Sequence, residues 1–157
     1  MEDEVGVFKF VLRFVIAYSV CSLLVWLFLE IWSAITNRDI TIYFELAITL
    51  GALAGAATVA TSKFIRDNKG VPTSKEKSKL IWFSFVTSWL LQVLLFCAAI
   101  MFLPKGKKIV ENIESDGLFA IFGVAIFISV FYLGLLSLNY GEFAKKRFEI
   151  MQKKGQI

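Results

Sequence analysis

The chain is 157 residues long, 57% hydrophobic and 19% charged, with a mean hydropathy of +0.70, whereas a soluble domain averages roughly 45–50% apolar and about 25% charged. Having no histidine, two prolines and two cysteines, it disfavours a His-based catalytic or metal centre, a disulfide-stapled secreted domain and a Pro/Gly-rich disordered tail. The expectation is one all-α membrane domain over residues 1–157, with a lipid bilayer as solvent and no cofactor.

Four stretches reach the roughly 20 apolar residues that a helix needs to cross a hydrocarbon core. The first, Phe14–Ile35, follows Lys9 and Arg13 and is longer than the apolar core of a cleaved signal peptide, so it reads as a retained signal anchor. Along it Ser19, Ser22, Trp26, Glu30 and Ser33 advance by three or four residues and share one helical face. A short turn with Arg38 and Asp39 leads to the second span, Ile42–Thr61. There Gly51 and Gly55 form a G-x-x-x-G pair that Thr58 and Ser62 continue, a stripe along which another backbone can come close. The partner on that stripe is either another span of this chain or a second protein or copy. Glu45, Thr49, Ala52 and Ala56 share a further face of this helix.

The segment 62–79 is punctuated by Pro72, which disfavours helix at Val71, and by Thr73 with Glu76 three residues on, the capping-box spacing. The third helix is therefore expected to begin ahead of its apolar span, Leu80–Leu103, with Ser74–Lys79 projecting into the cytoplasm. On this span Ser84, Ser88 and Gln92 drift around a neighbouring arc, so a polar seam through a four-helix bundle is expected. The segment 104–116 closes with Ser115 and Asp116, a cap for the fourth span, Gly117–Leu138.

Orientation rests on lysine and arginine. Two precede the first span, one lies in the first turn, six in 62–79, three in 104–116 and five after the last span, placing thirteen on one side and four on the other. The positive-inside rule makes both termini and the loop 62–79 cytoplasmic and the loop 104–116 periplasmic. A basic inner face beside anionic headgroups accounts for the net charge of +4 without a nucleic-acid partner.

Glu30 and Glu45 are the carboxylates within the expected spans. Acids at membrane depth are candidates for function, but Glu30 is about 25 Å from Arg13 and Glu45 about 27 Å from Lys63 at helical rise, near the outer boundary. With Arg38, and Gln92 on the seam, they form a candidate intramembrane polar cluster. It reads as an interfacial charge cluster setting the hairpin; a proton-coupled carboxylate pair is the alternative. Trp32 near the outer boundary, and Trp82, Tyr140 and Phe143 near the inner one, fit aromatic belts. Cys21 and Cys97 read as small buried hydrophobes. No phosphate-binding loop, nucleophile elbow or metal-ligand cluster is present in the sequence, so no catalytic residue is assigned.

The run Phe64-Ile-Arg66-Asp67 through Pro72-Thr73-Ser-Lys-Glu76 to Trp82-Phe-Ser84-Phe resembles the middle loop of a family of small four-span bacterial inner-membrane proteins of unassigned function. That resemblance implies fold and location and supplies no activity. In length, span count and inside termini the chain is also similar to the larger membrane immunity proteins against pore-forming toxins. The expected function is non-enzymatic, by lateral helix–helix contact with another membrane protein or an inserting toxin. The alternative is a homo-oligomeric small transporter or channel using Glu30 and Glu45.

Overall fold

The computed structural model describes residues 2–36, 42–102 and 115–157, with side chains at 6–36, 46–95, 97–98, 101 and 123–157. The regular elements among them are helices: α1 Glu2–Thr36, α2 Ile42–Asn68, α3 Ser74–Phe102, α4 Ser115–Tyr140 and α5 Glu142–Lys153. Four stretches of the described residues are long and apolar enough to cross a membrane, α4 and α5 counting together as the last of them. Helix does not stop where the apolar runs stop. α1 starts at Glu2, α2 continues to Asn68 and α3 starts at Ser74, so most of 62–79 is helical, because backbone hydrogen bonding continues for as long as each end finds a cap or a packed neighbour.

The α2–α3 reversal takes five residues, 69–73. Lys69 leaves α2 with φ +48°, a left-handed conformation that a residue with a β-carbon adopts at a cost of order 1 kcal/mol. The next helix starts on the capping box. The backbone amide of Thr73 donates to Glu76 Oε2 at 2.8 Å, its hydroxyl donates to the same oxygen at 2.7 Å, and the Glu76 amide donates to Thr73 Oγ1 at 3.4 Å. The cap expected at Ser115 and Asp116 falls among side chains outside the described set.

α4 breaks into α5 at Gly141, with φ −108° and ψ −96°. A β-carbon there would stand 2.7 Å from the Ser137 carbonyl oxygen and 2.7 Å from Lys77 Nζ, so close approach rather than a special dihedral selects glycine.

Around the bundle α1 packs on α2 and α3, and α4 packs on the same two, so α1 and α4 are diagonal. The short side chains of Ala56, Ala57 and Ala60 on α2 let the aromatic rings of Phe10, Phe14 and Tyr18 lie in the same core, with Phe10 and Phe64 ring centroids 4.9 Å apart. α5 folds back against α2 through Ala144 and Met151, which bury Ile65.

Burial is graded along the bundle axis. Buried residues on the four long helices run from the α2–α3 turn as far as Tyr18, Leu53, Ser88 and Tyr132 and then cease among the described residues. From Ser19 to Thr36 α1 buries no side chain, and Leu24, Ile31 and Ile35 are largely uncovered. The packed half also carries the positive charge: Lys9 and Lys63 meet at Asp67, Lys9 Nζ lying 3.4 Å from its carboxylate, which ties the start of α1 to the end of α2. We call this the basic end and the other the far end.

Candidate functional site

At the level where burial stops, three helices contribute one polar group each. The Gln92 amide nitrogen on α3 donates to Tyr18 Oη of α1 at 2.7 Å and to Tyr132 Oη of α4 at 2.9 Å, using both its hydrogens. The two phenol oxygens are 3.4 Å apart, long for O–H···O, so the amide carries the triad. In an apolar bundle a tyrosine hydroxyl without a partner is expensive, and the triad satisfies two at once. The Trp89 ring lies beside Tyr132, centroids 6.4 Å apart, its indole N–H buried without an acceptor among the described residues. Two turns towards the basic end from Gln92, Ser84 Oγ and Tyr140 Oη form a buried hydrogen bond of 2.9 Å. Tyr140 is therefore a core residue, correcting its assignment to an aromatic belt, while Trp82 and Phe143 are exposed.

On the far side of the triad opens a crevice of about 200 Å³, lined by Ser22, Trp26, Thr49, Ala52 and Gln92 with the aliphatic side chains of Val25, Leu29 and Leu95. The stripe read on α1 thus meets the Thr49 face of α2 and the last member of the α3 arc in one place. The expected seam continues differently towards the basic end: Ser84 and Ser88 are buried in the core rather than open to the crevice.

The proposed cluster of Glu30, Arg38, Glu45 and Gln92 is represented there by Gln92, which donates hydrogen bonds to two tyrosines. Glu30 is exposed; Arg38 lies outside the described residues and Glu45 outside the described side chains. Cys21 is half-buried and Cys97 exposed, and the two are not bonded.

The small-residue stripe of α2 divides into two parts. Thr58 is engaged: its hydroxyl donates to Asn139 Oδ1 at 3.2 Å, and Arg147 on α5 donates to its carbonyl and to its Oγ1, each at 3.2 Å. Ser62 bonds back to the Thr58 carbonyl at 2.8 Å. Gly51 and Gly55 are exposed, and among the described residues nothing outside α2's own backbone lies within 4 Å of where a β-carbon would stand. The face of α2 that the chain itself covers is centred on Leu53, Ala56, Ala57 and Ala60, about 160–200° around the helix from the two glycines.

Sequence reasoning passed over Tyr18, Tyr132, Asn139 and Arg147. Tyr18 and Tyr132 stand inside apolar runs rather than at their ends, and a tyrosine at that depth needs a hydrogen-bond partner; that was the available signal. Arg147 had none, since it reads as one of three consecutive cations.

No family model matches the chain, and no curated protein or solved structure matches it significantly.

Proposed function

We propose that this chain is a non-enzymatic, multi-pass protein of the bacterial inner membrane that acts by lateral helix–helix contact with another membrane protein or an inserting toxin, protection against such a toxin being its most concrete form. The observation that carries the reading is the uncovered Gly51/Gly55 face. Where a G-x-x-x-G pair serves internal packing, another helix of the chain lies against it; here no helix among the described residues lies against that face. With little hydrophobic drive between helices in lipid, close backbone approach is a main source of association energy. The thirteen cations at the basic end support both termini being cytoplasmic, which directs the open half towards the outer leaflet, where an inserting toxin arrives.

The test is photo-crosslinking in native membranes, with probes placed one at a time at Val59, Glu30 and the Lys75–Lys79 turn. Adducts with a different membrane protein from the first two positions support the reading and identify the partner. Adducts confined to identical chains move the assignment to a homo-oligomeric transporter or channel, with flux through reconstituted Glu30→Gln protein as the next measurement. Adducts to lipid alone overturn it.

A further inference from the structure

A second cavity, of about 190 Å³, lies at the basic end between the α2–α3 turn and the α4–α5 junction, lined by Pro72, Ser74, Lys77, Gly141, Glu142 and Lys145 among others. We infer that it is a phosphate site, taking either the phosphodiester of an anionic lipid headgroup or a free phosphate.

The argument starts from where Lys77 lies. Its ammonium occupies the gap left by the missing side chain of Gly141, with Nζ 2.7 Å from the position of a β-carbon there. That puts a cation at the α4–α5 junction, on the side of the Ser137 carbonyl in the last turn of α4 and at the start of α5, whose cap residue brings no side-chain acceptor. Lys145, one turn into α5, adds a second cation to the same cavity. Glu142 lines the cavity too, yet among the described residues the ion pairs within 4 Å join Asp67 to Lys9 and Lys63, and none joins Glu142 to Lys77 or Lys145.

The result is two lysines against one carboxylate, Glu142, around polar space, a net positive charge that calls for one more anion. A phosphate supplies that charge and accepts from both lysines and from the Ser74 hydroxyl. Glycine at 141 then serves two purposes, the chain break and the room for the Lys77 ammonium. A generic basic surface would attract headgroups through all its exposed cations about equally. This cavity instead singles out two of them, one from each side of the bundle.

The experiment uses the full chain in nanodiscs of neutral phosphatidylcholine containing a minor fraction of phosphatidylglycerol, with lipid retention read by native mass spectrometry. Wild type is expected to retain phosphatidylglycerol, and the Lys77→Gln/Lys145→Gln double variant to retain it at least about tenfold less, since a charge-assisted hydrogen bond is worth about a factor of ten. Lys75→Gln/Lys146→Gln, which removes two cations from the same helices outside the cavity, is expected to retain it within about twofold, and Lys77→Arg to restore most of the retention lost in Lys77→Gln. A parallel arm adds millimolar inorganic phosphate to protein in phosphatidylcholine alone. A rise in thermal midpoint that depends on Lys77 and Lys145 assigns the site to a free phosphate, and retention without that rise assigns it to lipid. Equal losses in the two double variants, or neither retention nor stabilisation in wild type, overturn the proposal.

Discussion

Replacing Gln92 by leucine tests whether the polar triad holds the bundle together at its midpoint. The substitution is close in volume and removes hydrogen bonds of 2.7 and 2.9 Å to Tyr18 and Tyr132, leaving the two phenols only each other at 3.4 Å. Interhelical hydrogen bonds in bundles of this kind contribute about 0.6 kcal/mol on average and up to about 1.7. The loss is expected to be about 1–3 kcal/mol, the upper part arising from phenol groups left short of a partner. Unfolding in mixed micelles by increasing sodium dodecyl sulfate, followed by tryptophan fluorescence, gives the value, Trp89 beside Tyr132 being a reporter at the site. Tyr18→Phe and Tyr132→Phe complete the cycle. Each alone is expected to cost about 0.5–1.5 kcal/mol, and the triple variant less than the sum of the three, because no donor or acceptor then remains unpaired. Stability of Gln92→Leu within about 0.3 kcal/mol of wild type, or strict additivity across the cycle, would refute the reasoning.

Gly51→Leu and Gly55→Leu are expected to change unfolding stability by no more than about 0.5 kcal/mol, since no described residue packs on either site, while eliminating partner adducts at Val59; crosslinking and unfolding on the same preparations separate the two effects. Gly141→Ala should destabilise by about 1–3 kcal/mol, because the clash is with the Ser137 backbone carbonyl and not only with a flexible lysine; a wild-type melting curve in detergent would count against it. Thr73→Ala removes the hydroxyl of the capping box and should cost about 1 kcal/mol, seen as faster amide exchange confined to the first turn of α3.

The four long apolar helices and the α2–α3 turn were legible because each has a local cause. Apolar runs long enough to span, Pro72, and Thr73 with Glu76 carry their instructions within a few residues. The crevice was half legible: spacing alone placed Ser22 with Trp26 on α1 and Thr49 with Ala52 on α2, and the structure brings both pairs against Gln92. What spacing leaves open is the order of helices around the bundle, so Tyr18 on one diagonal helix gave no indication that Tyr132, 114 residues away, would stand opposite. The face of α2 that packs inside the chain was obscured by a different competition. Gly51/Gly55 and Ala56/Ala57/Ala60 are both small-residue surfaces, and the aromatic rings of α1 settle on the alanines. Arg147 was hidden because the break at Gly141, which sends α5 back along α2, comes from close packing between distant segments.

Among the described residues the fully buried side chains lie in one half of the bundle, and this gives α1 the mechanics of a lever. α1 beyond Tyr18 is an arm of 18 residues to Thr36, about 27 Å at helical rise, along which Ser22, Val25 and Leu29 are half-buried and no described side chain is fully buried. A tilt of about 5° at the triad carries its tip through roughly 2 Å over that length, and rigid-body shifts of a packed helix are of this size. Displacements of a few tenths of an ångström in the Gln92 contacts are thereby multiplied several-fold at the far end, and a load applied at the far end is delivered, with the same mechanical advantage, to one amide and two phenols.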